Sequence, residues 1–131
     1  SYQRTDKSRV SSGGIKISVR EAYESVASNY DNVLKRLGSE GMIKRFAVKF
    51  IDDPTFGELK NALAAGGGES AFRAAHTMKG ICLNLGFDKL YEVSAALTEQ
   101  LRGYEITGSE AVYQQVVEQY DRLIAAIKAI D

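Results

Sequence analysis

The sequence predicts an all-α protein, an antiparallel up-down-up-down four-helix bundle with short additional N-terminal helices. Three observations carry this. From Ser18 onward, apolar residues recur at helical spacing almost throughout, the pattern that buries one face of a helix. Cap and stop residues stand at the ends of these stripes. The loops between the long stripes are short, so consecutive helices run antiparallel. No strand pattern or internal repeat competes.

Residues 1–14, SYQRTDKSRVSSGG, are polar, rich in Ser and Gly and without an apolar period. A flexible tail or tag remnant is expected there, and a single bundle domain over 15–131. Ser18 followed by Glu21 is a capping-box signature for a first short helix. Residues 29–37 form a second, closed by Gly38. Ser39 opens a segment in which Met42, Ile43, Phe46, Ala47 and Phe50 share a face, and Phe56, Leu59 and Leu63 continue it past Pro54. A proline ring clashes with the carbonyl four residues back, so it either starts a helix or kinks one. One kinked helix is the expectation here. AAGGGE at 64–69 ends that segment, a helix follows over about 69–85, and Gly86 is its C′ residue. Asp88 is expected to cap the next helix, with the stripe Leu90, Val93, Leu97, Leu101 and Tyr104. After YEITGSE, the cleanest stripe runs through Val112, Val116, Val117, Tyr120, Leu123, Ile124 and Ile127.

A chain of 131 residues with 44% hydrophobic and 26% charged residues fits one soluble domain with a real core. Its 17 basic and 17 acidic residues cancel, so bulk charge selects neither nucleic acid nor an anionic membrane as partner. One cysteine, Cys82, excludes an internal disulfide, and with one histidine it leaves no ligand set for zinc. A reducing, cytoplasmic setting and no metal are expected. No apolar run approaches the roughly 20 residues that cross a bilayer, and the polar N-terminus has no signal-peptide core. Because the sequence starts at Ser1, a processed or excised segment is expected.

The one histidine, His76, lies in AAHTMKGICLNLGF at 74–87. A lone helical histidine is more often structural than chemical, and its helix face decides. At about 100° per residue, Ala74, Met78, Ile81 and Leu85 fall roughly 140° to 200° from His76, with Ala71 and Cys82 near 220° to 240°. That arc is the core face, and His76 points away from it. Arg73 and Lys79, three residues before and after, put two cations on its side of the helix. Gly80 stands one turn on, where glycine costs up to about 1 kcal/mol relative to Ala. Since it faces away from the core, it gives another surface access to the imidazole. Phe72 and Leu83 also lie near this face. An exposed histidine ringed by cations, a glycine and apolar residues has the layout of a docking site around a nucleophile.

Acid–base catalysis or a triad needs positioned carboxylates or hydroxyls, and none stands at convincing spacing. No GxxxxGK[ST] or GxGxxG motif is present, so Gly66, Gly67 and Gly68 form a loop and no ATP site is expected. A histidine can nevertheless form a covalent intermediate unaided. Its neutral imidazole is nucleophilic near pH 7, and neighbouring cations stabilise an added phosphoryl group. The metal and most of the transition-state machinery can come from a partner.

The A-H-T-x-K-G core of that run, with a glycine ten residues after the histidine, resembles the histidine-containing phosphotransfer (HPt) domains of bacterial phosphorelays. The similarity extends over about 15–131 and includes the lead-in IDDPTFGELKNALAAG. It implies a phosphoryl carrier, a phosphotransfer intermediate more than a self-sufficient catalyst. His76 accepts the group from a phospho-aspartate on a response-regulator receiver domain and passes it to another receiver aspartate. By position, Lys79 is the phosphate-stabilising cation and Gly80 the access residue. Phe72, Arg73, Leu83 and Asn84 are expected at the docking surface, Arg73 and Asn84 on the helix wheel alone. Partners are receiver domains or a hybrid histidine kinase; Mg²⁺ belongs to the receiver, and the chain itself is expected to be a monomer without cofactor. Relatives often have a small residue where Ile81 stands, a departure that concerns packing.

Two other readings fit a bundle with an outward histidine. One is autophosphorylation within a kinase. Sensor-kinase acceptor helices usually place an acidic residue after the histidine, where this chain has Thr77; the phosphoacceptor domain of a chemotaxis-type kinase shares the HPt bundle and stays open. The other is a helical interaction bundle without phosphorylation.

Overall fold

The helical stripes resolve into seven α-helices among the described residues of a computed structural model, which are residues 10, 11 and 14–131. Most of the tail expected over 1–14 lies outside them. What is described there is a two-residue antiparallel pairing of β1 (Val10–Ser11) with β2 (Gly14–Ile15), a strand pairing the sequence pattern did not predict.

The first three helices each start on the side-chain cap that the sequence provides. In α1 (Val19–Ser25), Ser18 Oγ accepts from the Glu21 amide at 3.0 Å and Glu21 Oε1 accepts from the Ser18 amide at 2.8 Å, a complete capping box. Helix α2 (Tyr30–Leu37) is capped by Asn29 and stopped at Gly38, whose φ of +90° suits glycine. Helix α3 (Glu40–Phe50) is capped by Ser39.

The single kinked helix across Pro54 is not formed. Helix α3 ends at Phe50, and residues 51–53 make a tight turn in which the amides of Ile51, Asp52 and Asp53 bond three residues back. Asp53 Oδ1 then accepts from the Thr55 amide at 2.8 Å, and α4 (Thr55–Ala64) starts after Pro54. The aspartate competes for the backbone donors just where proline has none to give, so the chain breaks where a kink was expected.

Helices α4, α5 (Gly68–Leu85), α6 (Asp88–Gln100) and α7 (Glu110–Lys128) form the up-down-up-down bundle. Each packs on the next in sequence, and α3 closes the set against α5 and α7. Between α5 and α6 only Gly86 and Phe87 intervene, Gly86 at φ +73°. Asp88 does not cap α6: Phe87 holds the cap position. The Asp88 carboxylate accepts instead from the Asn29 amide at 2.9 Å, while Ser28 Oγ accepts from the Asp88 amide at 3.1 Å. This exchange locks the α1–α2 corner onto the start of α6.

The short helices cover the end of the bundle where α5 stops. Aromatic rings make the seal: Phe87 packs on Tyr23 at 5.5 Å and on Phe50 at 5.1 Å, and Phe56 stacks on Tyr120 at 4.0 Å. Two of the carbonyls that a helix leaves unpaired at its C-terminus are satisfied from this cover. Tyr23 donates its hydroxyl to Leu85 O at 2.7 Å, and Arg36 Nη1 donates to Leu83 O at 2.8 Å. At the chain's end, the Ile17 amide bonds Ala129 O and Ile17 O accepts from Asp131, each at 2.8 Å, pinning the start of α1 to the end of α7. Among the described residues, no helix is long and apolar enough to cross a membrane.

At the opposite end, Gly68 meets the turn after α6. A Cβ built on Gly68 falls 1.7 Å from Tyr104 O, a backbone atom that cannot step aside cheaply. Tyr104, expected on the α6 stripe, has left the helix at φ +65° and is half exposed at 49%. Gly68→Ala is therefore expected to lower stability by about 1–3 kcal/mol, read as a fall in the urea midpoint at unchanged slope.

Candidate functional site

Helix α5 has a buried side and a bare side. Ala71, Ala74, Ala75, Met78 and Cys82 are buried between its neighbours, and burial pushes the Cys82 thiol well above its usual range. Ile81 and Leu85, placed on the core face by the wheel, are only half buried, and Ala75, outside the wheel's arc, is fully so. The buried arc is shifted because α5 is clasped on two sides, by α4 and by α6. His76 is exposed on the remaining side, as are Arg73, Thr77, Leu83 and Asn84; Phe72, Lys79 and Gly80 are half buried there.

Phe72 lies parallel to the imidazole, one turn before it, with ring centroids 6.1 Å apart and planes 3° from parallel. A Cβ built on Gly80 meets nothing within 4 Å, so the surface one turn after His76 is open. Arg73 is turned to Glu69 in an i,i+4 ion pair, which engages its charge on the N-terminal side of the histidine.

The end of α6 and the turn after it bring up residues that the sequence pattern did not single out for the site. Tyr104 packs on Phe72 with centroids 5.7 Å apart. The Arg102 guanidinium lies over the Phe72 ring, its carbon 5.4 Å from the centroid. Arg102 Nε donates to Glu99 Oε1 at 3.0 Å and Nη2 to Glu99 Oε2, a two-point fork. This hydrogen-bonded guanidinium lowers the Glu99 carboxyl below its usual range, slight desolvation opposes the shift, and the charges of Arg102 and Lys79 add to it; Arg102 is raised in turn. Lys79 therefore stands within electrostatic reach of Glu99.

A signal for these residues exists in the sequence. In an antiparallel pair joined at Gly86–Phe87, equal arms put residue 76 level with 97, ten residues either side of the turn, and residue 72 level with 101. Glu99 and Arg102 fall beside those levels. Leu83 and Asn84 belong to a different place, about two turns beyond His76. Leu83 is 53% exposed and borders a groove of about 420 Å³ shared with Asn32, Lys35 and Arg36 of α2. Among the described residues, no three His, Cys, Asp or Glu side chains gather as a metal cage.

The site is thus a solvent-facing imidazole flanked by an aromatic ring and a gap, with Arg73 and Lys79 three residues to either side, carried on a helix whose other side is core. The model of the Hpt domain family matches residues 53–130, which span α4 to α7. That is more than half of the 131 residues, and the chain belongs to this family, which serves histidine phosphotransfer in phosphorelays. Searches of curated proteins and of solved structures returned no match.

Because Gly80 is helical and its surroundings are open, a methyl group there fills empty space and restricts only the unfolded chain. Gly80→Ala is expected to raise stability by about 0.5–1 kcal/mol, measured by urea unfolding.

Proposed function

We propose that His76 is the phosphoryl acceptor and that the domain carries the group between receiver domains. The observation that carries this reading is the pairing of an exposed imidazole with an unobstructed Gly80 one turn away, on a helix whose opposite face is fully packed. A neutral imidazole nitrogen offers its lone pair to the phosphorus of a receiver's aspartyl phosphate. The bond from phosphorus to the acyl oxygen breaks, and the aspartate departs as carboxylate. The other ring nitrogen keeps its proton, so the ring needs no base on this chain. The same steps reversed hand the group to a second receiver aspartate.

Lys79, three residues after His76, supplies an ammonium to the incoming phosphoryl oxygens in this reading. Gly80 leaves room for the rim of the receiver's active site, Phe72 gives an apolar footing beside the imidazole, and Leu83 and Asn84 extend the contact toward α2. Mg²⁺ acts from the receiver, which supplies the rest of the transition-state charge. This division of labour suits a domain that works in the cytoplasm with receivers or a hybrid kinase.

Incubation with a phosphorylated receiver domain is expected to leave an acid-labile, base-stable phosphate on the chain. His76→Gln should abolish it while helical circular dichroism persists, because an exposed side chain contributes little to the core; label retained on the variant refutes the assignment. A second expectation concerns approach. Gly80→Gln should slow transfer by on the order of 10- to 100-fold, because displacing the reacting atoms by about an ångström has that effect. Quench-flow transfer assays check this on a protein whose urea midpoint is unchanged or higher.

A further inference from the structure

Arg102, over the ring that flanks His76, is already engaged with a carboxylate. Glu99 accepts from Arg102 through both of its oxygens, and Lys79 acts on the same carboxylate through its charge. We propose that Glu99 is a positioning residue of the phosphoryl site: it holds Arg102 over Phe72, the ring parallel to the imidazole, and a phosphoryl group on His76 competes with it for Arg102 and Lys79. The inference rests on His76 as acceptor.

The arrangement is well placed for such an exchange. Arg102 is one ring away from His76, over Phe72, which is itself parallel to the imidazole. Its backbone is fixed by the turn that ends α6, where the Arg102 amide bonds Glu99 O at 3.2 Å and the Tyr104 amide bonds Leu101 O at 2.8 Å. Tyr104 in turn is seated against Gly68. The guanidinium–carboxylate pair is exposed on both sides, 59% and 63%, so rearranging it costs little. A phosphoryl group brings about −1.5 to −2 charges and three acceptor oxygens, against one charge on Glu99. The cations then shift toward the stronger anion.

This assigns Glu99 a role in the energetics of the relay. A carrier that returns what it accepts must hold the group with little net preference. With Glu99 removed, Lys79 and Arg102 would favour the phosphorylated state without opposition and make it a poorer donor. The carboxylate supplies that opposition.

Phosphoramidate tests the idea without a receiver. Its P–N bond breaks, ammonia leaves and the imidazole N–P bond forms, so phosphorus NMR at a fixed ratio of phosphoramidate to ammonia and fixed pH reads an equilibrium constant for His76. Glu99→Gln should raise that constant about two- to fivefold at low salt, and Arg102→Gln should lower it by a similar factor. In 1 M salt, where the Debye length is about 3 Å, both shifts should shrink toward one. A merely structural role would give shifts that salt does not remove and would move the urea midpoint. If label reaches His76 but the constant is the same in Glu99→Gln, the inference about Glu99 is wrong and the acceptor assignment stands. If the unaltered chain takes no label at His76, the acceptor assignment fails and takes this inference with it.

Discussion

The small side chains along α5 set the distance at which everything else packs. Ala71, Ala75 and Cys82 are completely buried, so α4 and α6 pack on this helix over small side chains, and at Gly68, where there is no room for a Cβ, the turn after α6 meets its backbone. The facing helix is thinned to match: Thr98 and Ser94 stand buried on α6, and the Thr98 hydroxyl donates to Ser94 O at 2.7 Å instead of demanding a partner from outside. A helix clasped this closely on two sides has one side left. His76 is exposed because the opposite arc of the same helix is committed to the core.

The N-terminal helices serve the same helix from its end. They lie before the segment that matches the family, yet they supply the hydrogen bonds to Leu83 O and Leu85 O that α5 cannot make for itself. Phe87 turns that cover into part of the core by meeting rings from α1 and α3 immediately after the glycine that ends α5. The groove beside Leu83 is a by-product of this closure, since it forms where α2 lies along the end of the helix. The exposed surface beside the end of α5 therefore extends from the bundle proper onto the cover.

Charge in this protein is organised locally. The chain as a whole is neutral, but the histidine stands among Arg73, Lys79 and Arg102, each in reach of Glu69 or Glu99. Such exposed pairs add little to stability. They do hold the guanidinium groups of Arg73 and Arg102 at defined positions on the surface. On the proposed role of His76, those cations are available to an anion that carries more charge than a carboxylate.

Periodicity and caps determined most of the helices, their order and the outward side of His76, because a helix face is fixed by sequence spacing and a cap by residues three apart. The A-H-T-x-K-G core placed the chain near its family for the same reason: its chemistry lies within two turns of one helix. Three features escaped apolar spacing, and the second and third were decided only by the tertiary structure. The chain breaks at Pro54 because Asp53 captures the Thr55 amide, a local competition that apolar spacing does not register. Asp88 serves Asn29 across 59 positions of sequence instead of capping its own helix, since the α1–α2 corner arrives there only after folding. Glu99, Arg102 and Tyr104 join the site because α6 returns antiparallel along α5, at a spacing set by the small residues between them. Spacing along one helix and the level of its antiparallel neighbour are written in the chain, whereas which side chains of that neighbour reach across depends on how closely the two can approach.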